Sequence, residues 1–492
     1  MTAYIDLKNI FYKNSIISDI NNILQWDLST IMPENSRENR VKQISFLNNL
    51  KQELFSSSKI CKLFSSVDEE KLSLNEKLNF REMKKEFIYY TALPKKLIEK
   101  KTKLSLSCEG VWRKAKQKNK FKLVSNELKS LLGVIKEEGE ILSQKFNCSP
   151  YDALIKNFEE SYSSKEIEEL FKKLHPFINN AYEKIISKQS KETLIPISRN
   201  LNERQQFEIS KFFMKKIGFN FSQGRLDKSL HPFCGGGIND IRITTRINQD
   251  NSFSAFEAVM HETGHALYEQ GLPAKWKYQP AGKSGGMALH ESQSLLIEMQ
   301  IMKSKSFQKF FSKVLVKKFN LEGDEWNFKN LFKIFNRVKK SYIRVESDEV
   351  TYPLHIILRF NLEKKIIENN INIDDLPDLW NQEFKSLFGM EVDNDENGCL
   401  QDIHWYAGLF GYFPTYTIGA LISSQLAFQL RKEIPELDND ISNGSFKKLV
   451  EWLKKNIHSK GSLYSTKEIL LDSTQSKLNI EFFQNYINEK YL

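Results

Sequence analysis

AFEAVMHETGH, residues 255–265, is the stretch on which the fold turns. Its leading residues, Ala255, Phe256, Ala258, Val259 and Met260, predict a buried helix that runs on into HETGH. On a helix, positions i and i+4 share a face. His261 and His265 can therefore turn ring nitrogens toward one tetrahedral Zn²⁺, with Glu262 beside it as general base. With 8 His in 492 residues, a chance H-E-x-x-H match is expected about 0.01 times on composition alone. Two histidines satisfied inside a helical core are the alternative. Gly264 is unfavourable within a helix and points to close approach by another backbone.

A catalytic zinc takes three protein ligands and keeps a fourth position open. In LHESQSLLIEMQ, residues 289–300, the apolar Leu289, Leu295, Leu296, Ile297 and Met299 predict a second buried helix, and Glu291 is the expected third ligand. The Gly- and Pro-containing GLPAKWKYQPAGKSGG, residues 271–286, predicts a loop that lets this helix fold back on the first. His290 and Glu298 are the alternative ligands. Glu269, one turn past His265, is either an orienting partner for a histidine or a solvated residue.

DIRITTRI, residues 240–247, alternates in the manner of a strand with one buried face. An edge strand at this place would pair with an extended peptide. CGGGIN, residues 234–239, reads as a mobile loop over the cleft mouth. Elsewhere the stretches 71–140, 164–188 and 307–340 mix Lys and Glu with apolar residues at helical spacing. The expected fold is mainly α: two helical lobes around a deep groove, with a small β-sheet beside the HETGH helix. Motif residues run from Trp26 to Tyr416. That span argues for one catalytic unit over 1–492, with a helical region at about 1–200 covering the groove and a metal-centre region at about 225–425.

The net charge of +10 comes from 72 basic residues scattered among 62 acidic ones. Without sustained aromatic interleaving, this pattern argues against a nucleic-acid partner. Residues 403–430 hold no Lys, Arg, Asp or Glu, yet His404, Gln425, Gly408, Gly411, Pro414 and Gly419 argue against a membrane span and for a buried helix lining the cleft. No secretory signal is read at the N-terminus. Cys61, Cys108, Cys148, Cys234 and Cys399 form no C-x-x-C pair, which suggests reduced thiols in a cytoplasmic protein. Cys234, beside HPF, is placed near the site without a role as nucleophile.

Taken together, the motifs resemble a known family. HETGH paired with HESQ (290–293), preceded by HPF (231–233) and DIRITTR (240–246) and followed by IRVESDEVTYPLHIILRF (343–360), is similar to the carboxypeptidase Taq family of zinc metallocarboxypeptidases. LQWDLSTIMPENSRENR (24–40), SPYDALI (149–155) and LQDIHWYAGLFGYFPTYTIG (400–419) extend the resemblance over nearly the whole chain. It implies release of single residues from peptides with a free C-terminus, one Zn²⁺ per chain with Co²⁺ or Mn²⁺ as substitutes, and a homodimer. A zinc endopeptidase or dipeptidyl-peptidase is the alternative enzyme, and a non-catalytic peptide-binding protein the alternative class.

By analogy with helical zinc peptidases, His404, Tyr412 and Tyr416 are the expected oxyanion donors, with core packing as the other role for the tyrosines. A free α-carboxylate calls for a guanidinium, and Arg344, Arg242 and Arg359 lie in the family-like motifs. An expected helix through 343–360 places Arg344, Asp348, Thr351 and His355 on one side, as a polar cleft wall or as an internal Arg–Asp ion pair. His231 and His355 complete the candidate substrate contacts.

Overall fold

In the computed structural model, which describes residues 2–229, 231–369 and 371–492, the HETGH motif lies within a helix, Ser254–Gly271. Its buried side includes Phe256, Val259 and Met260, and the Phe256 ring stacks on Phe311 at 4.6 Å between centroids. Met287–Leu295 is the predicted second helix and continues through a π-helical segment, Leu296–Met302. Its first turn is held from a distant part of the chain: Glu159 Oε2 accepts the Ala288 N–H at 3.3 Å, and the Phe158 carbonyl accepts that of Met287 at 2.8 Å. Orphan donors at a helix start need such partners.

Two glycines let the helices of the site approach one another. A Cβ on Gly264 would overlap the Gln293 carbonyl and the Ser294 Cα, and one on Gly419, in the helix Pro414–Glu433, would lie 2.8 Å from Glu291 Cγ. Gly264→Ala is therefore expected to destabilise the metal-free protein by about 1–3 kcal/mol through overpacking. Urea unfolding checks this, and an unchanged midpoint would remove Gly264 from the packing argument.

A three-stranded sheet flanks the HETGH helix: β1 Gly224–Lys228, β2 Phe233–Gly237 and β3 Asp240–Thr245, in the order β1-β3-β2, with β1 parallel and β2 antiparallel to β3. Ile241 and Ile243 pack with Val259 and Ala266 of the HETGH helix. DIRITT is thus a strand with one buried face, as expected. It is also the central strand, with both edges occupied, so it cannot be the edge that adds a peptide. CGGG is not a loop. It forms most of β2, paired so that Cys234 lies opposite Ile243 and Gly236 opposite Ile241.

Three further expectations are corrected. The helix expected through 343–360 begins only at Tyr352. Asp348 stops it from starting earlier: Oδ1 accepts the N–H groups of Val350 and Thr351 at 2.9 Å, Oδ2 accepts the Thr351 hydroxyl at 2.8 Å, and Pro353 opens the helix. Residues 403–413 form turns ahead of the Pro414–Glu433 helix, whose inner face is buried. The stretch 71–140 divides at Pro94 and Asn119, and 307–340 divides after Asn320; both asparagines adopt positive φ. Ser164–Gln189 is one helix, capped by Ser163 and Glu166.

Among the described residues the two largest hydrophobic clusters are separate. Tyr4, Leu7, Phe11, Phe55, Ile60, Leu72, Phe80 and Met83 form the first, and the second extends from Cys108 to Tyr491 and surrounds the metal helices. The first helices meet the loop 272–286 through polar contacts. Gln279 donates to the Lys8 carbonyl at 3.1 Å, Asn79 Oδ1 accepts from the Ala281 N–H at 3.1 Å, and Lys283 pairs with Glu86 at 2.8 Å. A small apolar cluster, Trp276, Ala281 and Leu463 with Leu78, adds to this seam. Among the described residues no helix is long and apolar enough to cross a membrane, and the five cysteines are unpaired.

Candidate active site

Ligand atoms of His261, His265 and Glu291 all lie within 4.8 Å of one another. Glu291 Oε2 is 3.4 Å from His265 Nε2 and 3.9 Å from His261 Nε2, so both imidazoles turn Nε2 toward the same carboxylate oxygen. On the other side of the His261 ring, Nδ1 meets Glu298 Oε2 at 2.8 Å. Glu298 thus meets the far nitrogen of His261 and lies outside the group that could hold a metal ion. Lys303 in turn sits 3.4 Å from Glu298 and 3.6 Å from Glu257. Burial opposes charge on Glu298, but Lys303 and His261 bring its carboxylate down to about 2. Glu298→Gln is expected to weaken metal binding about 10–100-fold, because such partners fix the ligand ring. Competition against a chromophoric chelator measures this, and unchanged affinity would show that the contact is incidental.

The remaining candidates around the triad sort by contact. His290 is not a ligand: its Nε2 pairs with Glu269 at 2.8 Å and its ring stacks on His265 at 4.5 Å. Glu269 thus orients a histidine, though not one of the ligands. Glu262 is 8 % exposed and accepts no hydrogen bond among the described residues, so its carboxylate is open to a proton donor in the cleft. Burial, partly countered by His261, raises it to about 7. Burial pushes the pKa of the Cys234 thiol up, and the Glu262 and Glu269 carboxylates add to that shift.

Gly419 brings the Pro414–Glu433 helix against Glu291, and Tyr416 lies one turn earlier on that helix. The Tyr416 hydroxyl and His404 Nε2 are 3.1 Å apart, and the Tyr412 and Tyr416 rings are 5.3 Å apart. The structure therefore brings His404, Tyr412 and Tyr416 together. Burial, reinforced by Arg344, lowers His404 to about 3, so it is a neutral imidazole at working pH. Its ¹⁵N resonances are expected to stay in the neutral form from pH 8 down to about pH 5; titration within that window would contradict this.

Arg344 and Arg359 share Asp402. Arg344 Nη2 is 2.9 Å from Oδ1 and Arg359 Nε is 2.6 Å from Oδ2. Arg359 is wholly buried and also donates to Gln401 and the His355 carbonyl, so it is an internal ion-pair residue. Arg344 differs. Its Nη1 has no hydrogen bond among the described residues, and its guanidinium lies 4.9 Å from the Tyr416 ring centroid. Arg242, on the sheet face opposite the HETGH helix, is bound to Asp240 at 2.6 Å and covers Trp26 at 4.3 Å. His355 is also wholly buried, with its ring 4.6 Å from Phe388. His231 is exposed ahead of β2, in the positive field of Arg113, Arg246 and Lys116. Among the described residues, Arg242, Arg359, His355 and His231 make no hydrogen bond or ion pair with His261, His265 or Glu291.

Two residues had no role in the sequence reading. Asp402 holds Arg344 in place, and its position two residues before His404 was an available signal. Tyr352, the first residue of its helix, stands 6.2 Å ring to ring from Tyr416 and within the field of Glu291, a placement that only the fold reveals.

Two histidines one helical turn apart and a carboxylate from a second helix could hold a metal ion, and with the unbonded glutamate between the histidines they fit the pattern of a metallopeptidase on a helical scaffold. Comparison with known proteins narrows the class. The family model described as carboxypeptidase Taq (M32) metallopeptidase matches residues 6–491, and the chain belongs to that family. It is 31% identical to carboxypeptidase 1 of Bacillus subtilis (strain 168), over 95% of this chain and 94% of that protein. It is 32% identical to thermostable carboxypeptidase 1 of Pyrococcus furiosus, over 97% and 96%. The solved Trypanosoma cruzi metallocarboxypeptidase 1 superposes with a TM-score of 0.97 at 32% identity, covering 100% of this chain and 99% of that one. The fold is that of these enzymes, and the chain is a metallocarboxypeptidase.

Proposed function

We propose that this enzyme is zinc-dependent and removes residues one at a time from the free C-termini of cytoplasmic peptides, as a homodimer in which residues 1–492 form one catalytic unit. The observation that carries the reading is the unbonded Glu262 carboxylate beside three convergent N and O donors. That donor set fits zinc, and equally Co²⁺ or Mn²⁺ where those are abundant. A bound dication supplies Lewis-acid polarisation of the scissile carbonyl and acidifies water. Glu262 accepts a proton from the attacking water and delivers it to the leaving amine. His404, as a neutral N–H donor, and the Tyr416 hydroxyl stabilise the oxyanion, with Tyr412 beside them. Arg344, with Nη1 free, binds the α-carboxylate.

A mass-spectrometric time course tests this with a free-C-terminal peptide and its amidated twin, with and without chelator. Sequential loss of single residues from the free peptide alone, stopped by chelator and restored by zinc, is the expected result. Internal cleavage of both peptides would replace the reading with that of an endopeptidase.

A further inference from the structure

Glu363 lies in the Tyr352–Glu368 helix and is wholly buried. Its Oε1 accepts the indole N–H of Trp405 at 2.8 Å, while Oε2 accepts the Tyr151 hydroxyl at 2.8 Å and the Gly411 backbone N–H at 3.0 Å. None of these partners is a cation. Arg359, one turn earlier, is occupied by Asp402 and Gln401. A buried carboxyl group in this setting is held by its hydrogen bonds, and each of its three partners is a donor.

The identity of the donors gives the arrangement its meaning. Trp405 directly follows His404, and Gly411 directly precedes Tyr412. One carboxyl group therefore grips both ends of the turn-rich segment that carries the oxyanion donor His404 and its neighbour Tyr412. Tyr151, in the helix Pro150–Lys156, ties the grip to a rigid neighbour. The segment has little slack: Gly411 has φ 87°, and a Cβ there would lie 2.7 Å from the Ile155 nitrogen. Leu409 N–H returns to the His404 carbonyl at 2.8 Å.

We propose that Glu363 is a positioning residue for the reaction, fixing the two ends of the 404–412 segment and so the direction in which His404 and Tyr412 face the metal site. This rests on the catalytic reading of His404 given above, with Tyr412 placed beside it. Glutamine at 363 would keep one acceptor oxygen and turn its NH₂ group toward a donor, most directly the Trp405 indole. The segment would shift without any change in the residues it carries.

The experiment is a double-mutant cycle of Glu363→Gln with His404→Ala and, separately, with Tyr412→Phe. Steady-state kinetics at equal metal content are read together with the Trp405 indole ¹⁵N–¹H resonance of the metal-free protein. Glu363→Gln is expected to move that resonance and lower kcat about 10–100-fold, the scale of an ångström-sized misplacement. KM should stay within about twofold, as for an interaction made only in the transition state. In the His404→Ala background the same substitution should cost much less. Adding Trp405→Phe to Glu363→Gln should restore part of kcat, because the amide no longer opposes an indole donor. A displaced resonance with normal kcat overturns the proposal, as does an equal loss in every background. A His404→Ala enzyme with unchanged kcat would instead overturn the catalytic reading of the segment. Should Glu363→Gln fail to fold, Trp405→Phe alone removes one grip and must show the same kcat-specific loss, or the proposal falls.

Discussion

Glu262→Gln enzyme is expected to fold, bind metal and bind peptide, yet to turn over about 10²–10⁴-fold more slowly, the range for loss of a general acid–base group. Glutamine has the shape of glutamate but cannot take up the water proton. The three neighbouring carboxylates among the described residues are otherwise engaged. Glu291 faces the two ligand histidines, Glu298 is tied to His261 and Lys303, and Glu269 is tied to His290. Glu262 alone among these carboxylates has neither a hydrogen bond nor an ion-pair contact among the described residues. Removing it should therefore leave the ligand geometry intact and reduce kcat while KM changes little. Metal content by atomic absorption and kcat on the same samples check the claim. An enzyme with full metal occupancy and kcat within about tenfold of the parent would remove Glu262 from proton transfer.

The second large effect is structural. Asp402→Asn should destabilise the protein by about 3–5 kcal/mol, because it leaves two buried guanidinium groups without their carboxylate. Burial alone would raise the Asp402 pKa, but Arg344 and Arg359 outweigh it and hold the carboxyl well below its ordinary 3.8. The sign of the pH dependence follows. The stabilisation is fully present above pH 3.8 and declines as pH falls below that value, since the unfolded chain then takes up a proton that the folded chain refuses. Denaturant midpoints for parent and variant should differ by a constant amount near neutrality and converge in acid. A difference that grows on acidification would contradict the assignment. Arg344 should also lose its orientation in the variant, so KM for peptides should rise.

The sequence showed the residues whose chemistry depends on local spacing and hid those whose role depends on distant pairing. His261, Glu262 and His265 were readable because a helix sets i against i+4, and Glu291 because a catalytic ion needs a third donor from a nearby buried run. Glu298 was visible only as an alternative ligand; that it meets the far nitrogen of His261 depends on how two helices pack. The alternation of DIRITT revealed a strand but could not reveal its rank in the sheet, since β1 and β2 are set by residues with weak strand preference. Gly235 to Gly237 looked like a loop for the same reason and became a strand by pairing with β3. Arg344 and His355 were placed on one helix by spacing, although Asp348, Thr351 and Pro353 carried a helix-start signal that should have divided them.

The two separate cores also bear on how stability is to be understood. A group of side chains that packs only with itself forms its own cooperative unit. The cluster of Tyr4, Leu7, Phe11, Phe55, Ile60, Leu72, Phe80 and Met83 is such a group, and its helices are joined to the rest across a seam of hydrogen bonds, an ion pair, the Tyr12–Tyr278 and Trp26–Arg242 ring contacts and one small apolar cluster. Interfaces of that kind transmit little of the free energy of one unit to the other. The chain is therefore expected to unfold in more than one step, without a single unfolding free energy. Gly264, Glu363 and Asp402 belong to the larger unit, and substitutions there act on its transition while leaving that of the first helices nearly where it was.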